Sequence, residues 1–265
     1  MRLGFMHHLL GADRLDEAFA RASSLGLDGL EVSYGPQQAS WLADPDHSRE
    51  LQQLAARNNL AVCSLCMGFV CTGPSLVEAP AEISRAIETI ERGIGVASDA
   101  GAKVVLVPFF GASAIEVEAE LTRAIDAITE LSATAERLGV VLGVESTLNL
   151  NQQQFLLEHF AGSDFVKIYY DTGNALGRKL DLPTMVRQLG PAAIAGMHFK
   201  DIKTAPSAPP DSAIKLGQGN VDFSAVVQAM RAVKYDGWVV LETPPLDDAM
   251  NTARENIKFA RDLLK

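Results

Sequence analysis

A chain of 265 residues, 48% hydrophobic and 21% charged, has ordinary globular composition and length enough for a large buried core, which excludes a disordered or fibrous polymer. With 23 Lys and Arg against 33 Asp and Glu, the formal charge of -10 has the wrong sign for gripping a nucleic-acid backbone. No apolar run approaches the length of a membrane span.

The N-terminal stretch MRLGFMHHLLGAD lacks a basic flank followed by a long apolar segment and cleavage site, so a cytoplasmic address is expected. Short runs rich in Val, Ile, Leu and Phe then recur, each followed by helical periodicity. Residues 2–6 lead to a helix over 15–25, residues 29–33 to one over 50–58, and residues 60–66 to one over 81–100. Residues 103–108 precede a helix over 115–138, 140–145 one over 152–160, and 166–171 one over 182–189. Residues 194–200 precede a helix over 223–233, and 238–243 a closing helix over 247–264. Eight such units at about 33 residues each match a strand, a helix and two loops, and predict a single α/β domain over 1–265, a parallel eight-stranded (β/α)8 TIM barrel.

Connections into the strands are short and carry Gly, as in SLGLDGLEV and RLGVVLGVE, where a left-handed residue ends the helix. Connections out of the strands are longer, notably 67–80 and 201–220, which places the long loops on the face where barrel enzymes build their sites. The Pro-rich stretch 206–210 resembles a linker in composition, yet the strand and helix rhythm continues on both sides, so it reads as an active-site loop. Cys63, Cys66 and Cys71 are three thiols within nine positions of an apolar stretch, which suits strand packing in a reducing compartment better than disulfides or a redox motif.

The last four runs each end on, or carry, a metal-binding residue type: Glu145 in VLGVE, Asp171 in KIYYD, His198 in GMHFKD and Glu242 in WVVLE. In a closed barrel these become neighbours at one mouth, one per unit. Singly, an acid ending a strand is often a helix cap; three acids facing one cavity repel each other unless a cation or protons compensate. An O,O,O,N set without thiolates favours one divalent ion, Mn²⁺ first, with Mg²⁺, Co²⁺ or Zn²⁺ as alternatives.

The segments GLDGLEVSY, LGVVLGVESTLN, VKIYYDTGNA, GMHFKDIK and LGQGNVDFSAVVQAMRAVKYDGWVVLETP resemble, end to end, the xylose-isomerase-like TIM-barrel superfamily and its sugar epimerase and isomerase branch. The resemblance implies that Glu145, Asp171, His198 and Glu242 are the metal ligands, the same four that spacing selects. It further implies that Glu145 and Glu242 act catalytically, removing and returning a proton on opposite faces of a metal-stabilised cis-enediolate. A small carbohydrate or polyhydroxy ketone is the implied substrate, and dimers or tetramers the implied assembly. Ketose 3-epimerases, inosose isomerases, hydroxypyruvate isomerases and dehydratases share these motifs, so a metal-dependent dehydratase or lyase is a rival expectation, and a non-catalytic sugar-binding barrel another.

The chain departs from the family where many relatives have DTGH or DTFH. It reads DTGN, and Asn174 can hydrogen-bond but cannot take a proton at neutral pH, which points to a different sugar or step. Besides Asn174, expected substrate contacts are His7, Glu31 and Lys200; Glu31 could instead orient a ligand or be a buried acid hydrogen-bonded to a neighbouring strand, Lys200 could neutralise Glu242, and His7 could be a plain loop residue. His8 reads as structural. Lys203 and Lys215 are solvated loop residues or phosphate grips, whereas Gly217 and Gly219 make a tight turn capped by Asn220 or Asp222. Met67, Phe69, Phe109 and Phe110 could wall the pocket or pack a loop, and Tyr235 and Trp238 are expected at the barrel base.

Overall fold

In a computed structural model that describes residues 1–205, 208–246 and 248–265, the apolar runs are the staves of a closed parallel barrel. In chain order the strands are β1 (Arg2–Met6), β2 (Gly29–Ser33), β3 (Ala61–Cys66), β4 (Val104–Pro108), β5 (Val141–Glu145), β6 (Val166–Asp171), β7 (Ile194–Phe199), β8 (Lys203–Ala205), β9 (Ala208–Asp211) and β10 (Trp238–Leu241). Barrel order is β1-β10-β7-β6-β5-β4-β3-β2, and β8 and β9 form a separate antiparallel hairpin. The helices are α1 (Leu15–Ser24), α2 (His47–Asn58), α3 (Pro80–Ala100), α4 (Glu118–Leu138), α5 (Leu150–His159), α6 (Thr172–Gly177), α7 (Leu182–Leu189), α8 (Phe223–Ala232) and α9 (Ala249–Leu264). Among the described residues, no helix is long and apolar enough to cross a membrane.

Two departures from the expected elements follow from local chemistry. The segment after β7, expected as an irregular loop, carries the β8–β9 hairpin; Pro209 and Pro210 are tolerated in β9 because, among the described residues, it pairs with β8 on one edge alone. Pro206 of the expected loop, and Asp247 at the start of the expected last helix, lie outside the described residues. The short helix α6 starts immediately after β6, because the Asp171 carboxylate accepts the Asn174 backbone N–H at 2.5 Å and caps it.

The core has two compartments. The larger lies between the outward faces of the strands, with Leu30, Val105, Ile168 and Leu241, and helix residues such as Phe19, Ile90 and Ile128. The smaller fills the barrel and contains Met6, Cys63, Cys66, Val104, Leu106, Tyr169, Trp238 and Val240. At the base, the Arg2 guanidinium stands 4.2 Å over the Trp238 ring and the Tyr235 hydroxyl donates to the Trp238 carbonyl at 2.8 Å, which closes that end. The opposite end, where the strands finish, carries the polar residues.

Candidate metal centre

Four consecutive staves, β5, β6, β7 and β10, deliver Glu145, Asp171, His198 and Glu242 to one point, each offering a ligand atom within 4.8 Å of the others. The register explains the convergence: Asp171 is paired with His198 across β6 and β7, and all four face inward at the strand ends. His198 Nδ1 is 3.0 Å from Glu242 Oε2, 3.5 Å from Glu145 Oε1 and 3.9 Å from Asp171 Oδ2. Glu145, Asp171 and His198 are buried, and the Glu242 side chain keeps 20% of its surface open to solvent.

Burial pushes the Glu145 and Asp171 carboxyls above their ordinary range. At His198 burial acts to lower the pKa, but the charges of Glu31 and Glu242 outweigh it and hold the ring well above its usual value. At Glu242 partial burial acts to raise the pKa, and Lys200 and His198 outweigh it and hold the carboxyl well below its usual range. Asp171 Oδ2 and His198 Nδ1 are nonetheless buried without a hydrogen-bond partner. A carboxylate oxygen and a ring nitrogen left unpaired among three carboxylates are costly in a dry site, and a divalent cation would satisfy both by taking the place of the ring proton at Nδ1. The donor set therefore fits such an ion: three hard oxygens and one imidazole nitrogen.

The DTGN and HFKD segments build the rim together. The Thr172 hydroxyl donates to the Lys200 carbonyl at 2.7 Å and accepts from its N–H at 2.9 Å, pinning the end of β7 to the start of α6. A Cβ on Gly173 would meet Lys200 Cγ at 3.0 Å, so the glycine leaves a track for the lysine stem, and Lys200 Nζ reaches Glu242 Oε1 at 2.7 Å. The Asn174 amide lies 3.5 Å from Glu145 Oε1. Asp201 organises the following loop: its buried carboxylate accepts the backbone N–H groups of Ile202, Gly217, Gly219 and Val221. Gly217 and Gly219 thus form a turn around an acid, not an anion cradle, and Asp222 caps α8 through the Ala225 N–H.

A cavity of about 390 Å³ opens at this end, with Lys200, Asn174, Thr147 and Ser212 as polar lining and Phe110 and Ile202 as apolar lining. Of the four expected substrate contacts, Asn174 and Lys200 line this cavity and His7 and Glu31 do not. His7 Nδ1 accepts the Ser33 N–H at 3.1 Å, tying β1 to β2, and burial together with neighbouring His8 lowers its pKa to about 4. Glu31 is fully buried beneath His198, with both carboxylate oxygens hydrogen-bonded. Of the expected apolar wall only Phe110 lines the cavity, because Met67, Phe69 and Phe109 pack into the core. His8 is exposed, Lys203 is exposed, and Lys215 is held by Glu255 at 2.6 Å. Cys63, Cys66 and Cys71 are free thiols, the first two buried in the barrel. Sequence reasoning missed Arg178, Thr147 and Ser212 in the lining and Tyr169 and Ser64 beneath His198; the only signal for Tyr169 is its place two residues before Asp171.

Residues 19–263 match the family model described as xylose isomerase-like TIM barrel. A curated relative from Actinoplanes sp., 2-epi-5-epi-valiolone 7-phosphate 2-epimerase, is 27% identical over 205 residues, which span 77% of this chain and 73% of the relative. Among solved structures, L-ribulose 3-epimerase superposes with a TM-score of 0.81 at 21% identity, covering 99% of this chain and 94% of that one. The IOLI protein solved with a zinc atom superposes at 0.80 and 17% identity, covering 100% and 98%. At these identities the two structures establish the shared fold.

Proposed function

The chain belongs to the xylose isomerase-like TIM barrel family, and from that premise we propose that it is a divalent-metal-dependent isomerase or epimerase of a small carbohydrate or polyhydroxy ketone, acting as a single domain over residues 1–265. The observation that carries the reading is the convergence of Glu145, Asp171, His198 and Glu242, with Asp171 Oδ2 and His198 Nδ1 left unpaired. The names of the relatives point the same way: the Actinoplanes protein and the L-ribulose enzyme are both epimerases.

Those four residues would hold the ion, Mn²⁺ by preference for this oxygen-rich set. When bound, it would supply Lewis acidity at a substrate carbonyl and so acidify the adjacent C–H. Glu145 and Glu242 stand on β5 and β10, separated by two staves, and can address a substrate carbon from different sides. One carboxylate takes the proton and the other returns one, which inverts the carbon or moves the carbonyl. Lys200, held against Glu242, keeps that carboxylate ionised and presents an ammonium to a substrate oxygen in the cavity. Asn174, beside Glu145, offers its amide as a neutral hydrogen-bonding group.

The test is solvent exchange: the Mn²⁺-loaded protein in D₂O should incorporate deuterium at the carbon beside the carbonyl of its substrate, found by screening ketoses, inososes and hydroxypyruvate. Glu145→Gln and Glu242→Gln should each lower exchange by about 100-fold or more while the proteins remain folded and bind the ion detectably. Wild-type exchange rates in both variants would sink the proposal.

A further inference from the structure

We infer that Glu31 is the positioning residue of His198: together with Ser64 and Tyr169 it places the proton of the imidazole on Nε2 and leaves Nδ1 free to face a divalent cation. The inference rests on the metal-dependent reading above and deepens it. A carboxylate only accepts, and Glu31 Oε1 lies 3.0 Å from His198 Nε2, so the ring must donate there. Its other nitrogen faces Glu242, Glu145 and Asp171, so that a cation held by those carboxylates would displace the proton from Nδ1 while Glu31 keeps the one on Nε2. Glu31 Oε2 accepts from the Ser64 hydroxyl at 2.6 Å and the Tyr169 hydroxyl at 3.1 Å. Three donors arrive from β3, β6 and β7 at one carboxylate on β2, and Glu31 and His198 are both essentially without solvent exposure.

The barrel backbone is shaped around this group. Among the described residues the barrel ladder shifts register at two places: between Leu30 and Glu31 on β2 against β3, and between Ile168 and Tyr169 on β6 against β7. The first sets Ser64 beside Glu31, and the second sets Gly196 beside Tyr169. Such irregularities re-aim side chains. The Tyr169 ring occupies space that two glycines vacate, since a Cβ on Gly196 would lie 2.4 Å from its Cε2 and one on Gly143 3.0 Å from its Cδ2. Thus the phenol can cross the barrel from β6 to β2 and stack edge-on to His198, with ring centroids 4.7 Å apart. A side chain present only to fill the barrel would be apolar, as Met6, Leu106 and Val240 are; a buried carboxylate is an expensive filler. Orienting a metal-binding imidazole is what that cost supports, because the outer hydrogen bond selects the tautomer and direction of the ring.

The test measures Mn²⁺ affinity by competition with a chelating dye on wild type, Glu31→Gln and Tyr169→Phe, beside the melting temperature of each metal-free protein. Glu31→Gln should bind Mn²⁺ about 10 to 100-fold more weakly while its metal-free form melts near wild type. Tyr169→Phe keeps the bond between Glu31 and His198 and should lose less than about fivefold. Equal Mn²⁺ binding by wild type and Glu31→Gln, or a lower melting temperature with unchanged affinity, overturns the positioning role and leaves the proposed function standing. Failure of the wild type to bind any divalent ion overturns both. Should Glu31→Gln not fold, ¹⁵N NMR of the Zn²⁺-loaded wild type decides: a protonated His198 Nε2 supports the assignment, and an unprotonated, ligating Nε2 overturns it.

Discussion

Strands β5, β6, β7 and β10 and strands β1 to β4 are opposite halves of one barrel, and they end in different chemistry. The first half finishes in Glu145, Asp171, His198 and Glu242, with Lys200 beside them. The second finishes in Met6, Ser33, Cys66 and Pro108, and its inward polar groups Glu31 and Ser64 lie lower and are already consumed. On the proposed reading the halves divide the labour: one carries the four candidate ligands, and the other reaches across with one carboxylate to His198.

The largest effect that would break this arrangement comes from filling the space under Tyr169. Gly196→Ala puts a methyl 2.4 Å from Tyr169 Cε2 and 2.7 Å from its Cζ, and Gly143 on the other flank leaves the ring no room to swing. We expect a loss of about 3 kcal/mol in denaturant unfolding. Mn²⁺ affinity should fall with it, because the displaced phenol releases Glu31. Wild-type stability would show that the ring is not locked between the two strands.

Next in size is the removal of the cation already present in the ligand half. Lys200 Nζ is 2.7 Å from Glu242 Oε1, and both side chains are about four-fifths buried, at 18% and 20% exposure. Lys200→Met keeps the apolar stem over Gly173 and deletes a charge that competes with the metal. The metal-free variant should be less stable, since Glu242 loses its partner, and should bind Mn²⁺ about tenfold more tightly, about 1.4 kcal/mol. Weaker Mn²⁺ binding would mean that Lys200 supports the ion instead of competing with it.

The two halves were unequally legible in the sequence. The four candidate ligands are legible because each sits at or beside the end of an apolar run, and β1, β2 and β6 follow their expected runs residue for residue. Asn174 and Lys200 were legible for the same reason, each adjoining a ligand-bearing run. α6 was not, because TGNALG has too little length and too much glycine to show helical periodicity and depends on the Asp171 cap. The β8–β9 hairpin was hidden by its prolines. For Glu31 the sequence leaves a substrate contact, an orienting acid and a buried partner of a neighbouring strand open, because one strand shows only that an acid faces inward; its three partners come from other strands, and two register shifts bring them into line. The bond of His7 to the Ser33 N–H is hidden in the same way, since it spans two strands.

The smallest effect should come from the same glycine substitution made in the half without ligands. Gly4 of β1 also faces the barrel interior, but a Cβ there would meet Cys63 Sγ at 3.1 Å and the Gly29 carbonyl and Val240 Cγ2 at 3.4 Å. These contacts need shifts of a few tenths of an ångström, and a thiol is a soft neighbour. Gly4→Ala should therefore cost about 1 kcal/mol in denaturant unfolding, with unchanged Mn²⁺ affinity, because Cys63 meets the group around His198 only through a long 3.7 Å contact of its Sγ with the Ser64 hydroxyl, which lies closer, at 2.6 Å, to Glu31. A loss as large as that of Gly196→Ala, or a matching fall in Mn²⁺ affinity, would mean that both halves transmit packing to the centre equally. The division of labour would then be one of charge alone.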